Sequence, residues 1–270
     1  MRQLAGTFVR HPFRIVGRSA WLAGVFVLAA WIYCYRIGAR RNATAAMRAL
    51  WLQEGCRRVL RVFHVRVSTD GIVPMRGLLV NNHLSYLDII VLGAVAPAKF
   101  VAKSEVRGWP VFGWFARLAG TVFVRREQRS DARRSTSEIQ EALDAGSLVV
   151  LFPEGTSSGG ATVLPFKSAS LAVATKPSLE LTAGFVCYAL EEGSVADEVC
   201  YWRDMTLVPH LLNLLGKRSI SARVSFAAVA ERSADRKELA RELHAVVMRL
   251  MDRNEKRMTD HGVCPLTSDL

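Results

Sequence analysis

Cysteine is sparse and unpatterned in this 270-residue chain. The five cysteines, Cys34, Cys56, Cys187, Cys200 and Cys264, are odd in number and include no Cys-x-x-Cys pair. That spacing implies neither a disulfide framework nor a zinc site. Internal repeats and low-complexity linkers are also absent, which excludes a solenoid or a string of tethered modules. The glycine-bearing stretch 152–160 lacks the Lys-Ser/Thr ending of a phosphate-binding loop, so nucleotide hydrolysis is not indicated. Acid is nearly missing from the first 70 residues: Glu54 and Asp70 stand against twelve arginines.

That last absence locates the charge. The chain is +12 overall, but the first 70 residues hold +10 of it and the remaining 200 only +2. A basic arm of this kind would suit a phosphate backbone. Within it, however, lies SAWLAGVFVLAAWIYCY, residues 19–35, uncharged and flanked by Arg18 and Arg36. Seventeen helical residues span roughly 26 Å, close to a hydrocarbon core. Trp21, Trp31, Tyr33 and Tyr35 stand near its ends, as interfacial aromatics do. The segment is expected to be a membrane helix, spanning or monotopic, rather than a signal peptide, because no small-x-small cleavage site follows it. Anionic membrane lipids are therefore the expected partner of the basic excess, and nucleic acid is not. Eight arginines in residues 36–70 against four in 1–18 favour a catalytic body on the cytoplasmic face.

Leu52, Cys56, Val59, Leu60 and Phe63 then recur at helical spacing with Arg57, Arg58 and Arg61 opposite, a basic amphipathic helix that could rest on lipid or on its own domain. Beyond it, short apolar runs alternate with helical ones. Strands are expected at 77–81, 98–102, 120–124, 147–152, 184–190 and 220–227. Helices are expected at 86–96, 110–118, 131–145, 205–215 and 234–256. The alternation predicts an α/β layered domain, a mixed and largely parallel sheet flanked by helices. The expected division is a membrane-anchoring segment, 1–70, and a catalytic domain, 71–270.

In open α/β sheets, sites form beyond the carboxyl ends of strands, and three strand exits here are polar. NNHLSYLD, residues 81–88, holds His83 and Asp88. Five residues apart, the two would not meet on one regular helix; they meet if His83 lies in the turn and Asp88 in the helix. Ser85 and Asp88 equally resemble a capping box, leaving the stretch balanced between chemistry and turn punctuation. The second exit ends in Arg125-Arg126, forks suited to phosphate or carboxylate or simply solvated. The third, FPEGTSSGG at 152–160, contains Gly-x-Ser-x-Gly around Ser157. A hydrolase nucleophile elbow needs a strand ending at that motif and a helix starting at the serine, and Pro153-Glu154 before it and GGATVLPF after it argue against both.

Together and in order, these blocks resemble the glycerolipid (lysophospholipid) acyltransferase family, of the 1-acylglycerol-3-phosphate acyltransferase type. The likeness rests on Asn82-His83 to Asp88, on Gly120 to Arg126 and on Phe152 to Ser158, and covers about residues 75–230. It implies an O-acyltransferase. His83 would be the general base and Asp88 its orienting partner. Arg126, with Arg125 or Lys167 in support, would hold the acceptor head group, and Glu154, Gly155 and Thr156 would shape the acceptor site. The acyl donor would be acyl-CoA or acyl-carrier protein and the acceptor a lysolipid, with no metal or redox cofactor. Ser157 stands where the family has an arginine, which opens a second acceptor beside lysophosphatidic acid: lyso-ornithine lipid. A serine lipid hydrolase is a more distant alternative. The aromatic stretch WPVFGWF, 109–115, is expected to be core.

Overall fold

The structure is a computed structural model that describes residues 11–39, 43–124, 129–176 and 178–261. In chain order the helices are α1 (Pro12–Tyr33), α2 (Ala45–Phe63), α3 (Tyr86–Val95), α4 (Phe112–Ala119), α5 (Arg129–Asp144), α6 (Val195–Glu198), α7 (Leu207–Gly216) and α8 (Arg236–His261). The strands are β1 (Val65–Asp70), β2 (Gly77–Asn81), β3 (Ala98–Lys103), β4 (Val122–Val124), β5 (Leu148–Leu151), β6 (Leu181–Leu190) and β7 (Ile220–Ala228). They form one sheet in the order β1-β7-β6-β2-β5-β3-β4. Every neighbouring pair is parallel except β6 with β7. The expected class is thus the observed one.

Helices cover both faces, and the central strands show it. Every residue of β2 and β5 is buried, because a parallel strand between two helical layers has no solvent side on which to place polar residues. On one face α1, α2, α3 and α7 bury Phe63, Leu87, Val91, Leu214 and Ile220. On the other α5 and α8 bury Ile139, Leu143, Leu239, Leu243 and Leu250. Asp235 starts α8 by accepting the N–H groups of Lys237 and Glu238 at 2.8 and 2.9 Å. A carboxylate there satisfies orphan donors of the first turn.

Two expectations about the N-terminal part change. The boundary drawn after residue 70 falls at the end of a sheet strand: β1 pairs with β7 from Val65↔Ile220 to Asp70↔Ser225. VRVSTD escapes a hydrophobic pattern search because it is an edge strand with only one buried residue, Ser68. The hydrophobic helix also begins earlier than residue 19. Pro12, lacking an N–H to satisfy, opens α1, and a π-helical turn, Cys34–Gly38, ends it.

Helix α1 packs lengthwise against the domain. Ile15, Leu22, Val25 and Ala29 are buried, the Trp51 indole N–H donates to the Ala29 carbonyl at 2.9 Å, and Arg18 donates to the Leu215 carbonyl at 3.0 Å. The opposite stripe, with Phe13, Val16, Val27 and Trp31, is exposed and apolar; Phe13 is 92% exposed. The apolar face of α2 packs against α3 and α1, and its arginines divide: Arg57 donates to the Ala94 carbonyl at 3.1 Å and Arg58 pairs with Glu54 at 2.9 Å.

Leu243 is fully buried at the centre of the α8 stripe. Leu243→Ala is expected to lower the unfolding free energy by about 3 kcal/mol, read by chemical denaturation in detergent. A loss under about 1 kcal/mol would show that α8 does not close the second core.

Candidate active site

The turn between β2 and α3 is held by two asparagine side chains. Asn82 uses its amide like a further strand residue, donating to the Val186 carbonyl at 3.0 Å and accepting the Val186 N–H at 2.7 Å. Asn81 donates to the Asn82 carbonyl at 2.8 Å. Both side chains are buried, and apart from the Asn81 Oδ1 their polar atoms are met by protein.

His83 follows, outside the helix, and Asp88 sits in the first turn of α3. The His83 Nδ1 lies 2.8 Å from Asp88 Oδ2. The same oxygen accepts the N–H groups of Leu84 at 2.7 Å and Ser85 at 2.9 Å, while Tyr188 donates its hydroxyl to Oδ1 at 2.6 Å. Capping and chemistry, alternatives in the sequence, share one carboxylate. Since Asp88 offers only acceptors, Nδ1 carries the proton, and Nε2 is left as a base. The His83 side chain is 21% exposed and Asp88 is fully buried. An imidazole so oriented can take a proton from a hydroxyl.

The third block supports the first. The Phe152 ring stacks on His83 with centroids 4.3 Å apart. Glu154 Oε1 accepts the His83 backbone N–H at 2.7 Å and Oε2 accepts that of Leu164 at 3.0 Å; the Ser158 N–H donates to the His83 carbonyl at 3.0 Å. Glu154 was expected to shape the acceptor site, but it is 2% exposed with both oxygens engaged by backbone, and it braces the histidine turn instead. Burial pushes its carboxyl up to about 7, while the two N–H donors pull the other way.

His83 opens onto a cleft of about 520 Å³ that Gly155, Thr156, Ser157 and Lys167 also line. Its positive charge, among the described lining residues, comes from Lys167 and from Lys103 at the end of β3, which the sequence reading did not single out. The remaining wall is mostly apolar and reaches Leu22, Val25 and Phe26 of α1. Trp109, Phe112 and Phe115 also line this cleft, and in 109–115 only Gly113 is buried, so the aromatic stretch is wall rather than core. Ser157 donates its hydroxyl to the Tyr201 carbonyl, and no helix follows β5 until a 3-10 segment at Ser168–Thr175, so neither part of a nucleophile elbow is present. Arg125 and Arg126 lie outside the described residues. Among those described, no three His, Cys, Asp or Glu side chains gather as a metal site.

A second histidine is structural. His210 is buried, accepts the Tyr86 hydroxyl at 3.0 Å on Nδ1 and donates from Nε2 to the Cys200 carbonyl at 3.1 Å. Burial pushes it down to about 4, which keeps the ring neutral. Tyr188 is the main residue that sequence reasoning missed. Its signal is positional: a lone phenol on a buried strand, two residues past the Val186 that Asn82 clamps, needs a polar partner.

The Acyltransferase family pattern matches residues 64–188. The lyso-ornithine lipid O-acyltransferase of Brucella abortus is 40% identical over 72% of this chain and 78% of its own. The enzyme of the same name from Pseudomonas aeruginosa is 33% identical over 87% and 92%. A 1-acyl-sn-glycerol-3-phosphate acyltransferase of Neisseria meningitidis is 35% identical over 58% and 62%. The crystal structure of the 1-acyl-sn-glycerophosphate (LPA) acyltransferase of Thermotoga maritima superposes with a TM-score of 0.63 at 20% identity, covering 92% of this chain and 98% of that one, a likeness of fold.

The raised Glu154 carboxyl makes a stability prediction. In the folded state it holds its proton up to about pH 7, whereas an unfolded glutamate releases it near 4.5. Its contribution is therefore complete below about pH 4.5 and is lost as pH rises through 7. Denaturation of wild type at pH 5 and pH 8 should show a decline of up to about 3 kcal/mol from this group, absent in Glu154→Gln. An unchanged slope in the variant would remove Glu154 from the titration. Motif order, hydrogen-bonded geometry and relatives matched over most of their length agree: the chain belongs to the acyltransferase family, among the enzymes that acylate lysolipids.

Proposed function

We propose that this enzyme moves a fatty acyl group from a phosphopantetheine thioester, of acyl-CoA or acyl-carrier protein, to the free hydroxyl of lyso-ornithine lipid. His83 Nε2 removes the hydroxyl proton as the oxygen attacks the thioester carbonyl. The tetrahedral adduct collapses to the ester, and the leaving thiolate recovers the proton from the imidazolium. Asp88 holds the ring and offsets its transient charge. The carrying observation for the reaction is the 2.8 Å Nδ1–Oδ2 contact, which leaves Nε2 free of that bond on a histidine that lines a largely apolar cleft of about 520 Å³.

Two observations favour lyso-ornithine lipid over lysophosphatidic acid, the acceptor that the sequence ranks first. Relatives matched over more than two thirds of their length bear the former name. In addition, Ser157 replaces an arginine of the family pattern, and its hydroxyl is tied to the Tyr201 carbonyl. An acceptor bearing a carboxylate and an ammonium needs less cationic charge than a phosphate monoester, and Lys103 and Lys167 supply a modest amount. The lysophosphatidate reading keeps support from the Neisseria relative and is tested by the same panel.

Placement at a membrane follows from α1. A helix whose whole length is packed on the domain by one face cannot leave it to cross a bilayer alone, and its exposed apolar stripe is suited to lie in the lipid interface. The arginine distribution favours the cytoplasmic side, where both thioester donors are found.

His83→Ala in detergent-purified protein should reduce acceptor-dependent thiol release at least a hundredfold, and Tyr188→Phe should lower kcat severalfold with KM little changed. Ser157→Ala should retain most activity. Survival of turnover in His83→Ala would sink the mechanism. Greater turnover with lysophosphatidic acid than with lyso-ornithine lipid would reverse the acceptor assignment.

A further inference from the structure

A second concave site, of about 580 Å³, lies apart from the catalytic cleft and is lined by Arg14, Arg18, Arg61, Arg66 and Arg218 with His64. It forms where the first turns of α1 meet the α2–β1 corner and the α7–β7 connection. Strand directions place it at the His83 end of the sheet: β6 ends and β1 and β7 begin there. The order β2-β6-β7-β1 puts it roughly 10–15 Å across the sheet from the catalytic turn.

The charge there is built in and only partly compensated. Arg14 donates to the Gly216 carbonyl at 3.0 Å, and Arg18, buried, donates to those of Leu215 at 3.0 Å and Arg218 at 3.5 Å. These carbonyls hold two guanidinium groups without neutralising them. Arg61, Arg66 and Arg218 are exposed around the rim. The one carboxylate in the lining, Glu191, is shared between Arg218 at 3.8 Å and the Ser219 hydroxyl at 2.9 Å. The crowding acts on His64, whose pKa is lowered by burial and then by Arg18, Arg14 and Arg66. Five arginines facing one acid around a cavity form a site for an anion with several acceptor oxygens.

The surroundings select the source of that anion. Arg14 is on the packed face of α1, in the same first turn as Phe13, 92% exposed, where the apolar stripe of the opposite face begins. A stripe immersed in the interface brings the pocket to the depth of phospholipid phosphates. We propose that this pocket binds the headgroup phosphate of an anionic phospholipid, at a site separate from that of the acceptor. The proposal rests on the membrane placement given above and is independent of which lysolipid is acylated.

The test is flotation of the full-length protein with vesicles of phosphatidylcholine alone or of phosphatidylcholine with phosphatidylglycerol, read without turnover. Wild type should partition more strongly onto the anionic vesicles. The triple variant Arg61→Gln, Arg66→Gln, Arg218→Gln should lose about a hundredfold of that partitioning, at roughly fivefold per charge, while keeping its binding to phosphatidylcholine. A control triple on α8, Arg236→Gln, Arg249→Gln, Arg253→Gln, removes equal charge from the other face and should lose little. Melting temperatures check that each variant folds, and the single variants Arg61→Gln and Arg66→Gln should each show a partial loss. Equal losses in the two triples would overturn the site in favour of diffuse charge. Unchanged vesicle binding with a raised KM for acyl-CoA would overturn it in favour of the soluble phosphates of the donor. Wild type binding both vesicles equally would sink the anion site alone, and wild type binding neither would sink the membrane placement beneath it.

Discussion

Asp88 accepts hydrogen bonds from four donors, and the positions of those donors fix much of the molecule. Two are backbone N–H groups of its own helix entry, Leu84 and Ser85; one is the ring of His83; one is the hydroxyl of Tyr188, a hundred residues away. A buried carboxylate is unfavourable unless its lone pairs are met. The cap that satisfies Asp88 therefore fixes the start of α3, and the bond to Tyr188 ties that start to β6. The histidine takes the remaining direction. Its orientation is a by-product of solving a burial problem, so the His83–Asp88 geometry is set by the fold itself.

The back of the histidine turn is supported in the same way. Glu154, after β5, grips the backbone of His83 and of Leu164, and Asn82 binds β6 as a strand would. The site is thus suspended between β5, β2 and β6, the three adjacent strands at the centre of the sheet. What remains open to the cleft is the exposed edge of His83. The stretch that looked like an acceptor grip in the third block is mostly scaffold; Thr156, Ser157 and Lys167 line the cleft, while the carboxylate beside them faces inward.

What the sequence made legible divides along physical lines. Strands β2 and β5 and helix α8 were readable because their burial pattern is strong, and His83 with Asp88 because turn chemistry and a helix start coincide there. Strand β1 was not, since an edge strand pairs through its backbone and need not be apolar. Tyr188 was not, because its partner is distant in the chain and only the register of β6 brings them together. The aromatic residues 109–115 were misplaced because a cleft for a hydrocarbon chain and a protein core demand the same side chains. Only the three-dimensional arrangement separates a wall from an interior. Glu154 shows the converse: a charged residue in a motif invites a role towards substrate, and its burial gives it one towards the backbone.

Helix α1 supplies Leu22, Val25 and Phe26 to the same cleft that His83 faces, and it holds the domain through Arg18 and the Trp51 bond. Anchor and cleft wall are therefore one element. Trimming the chain to its sheet in search of a soluble enzyme would remove a side of the cleft along with the proposed tether. Under the membrane placement proposed above, a lysolipid entering beside α1 would not have to leave the bilayer: its search for the histidine would be lateral, in two dimensions, and only the thioester donor would arrive from bulk water.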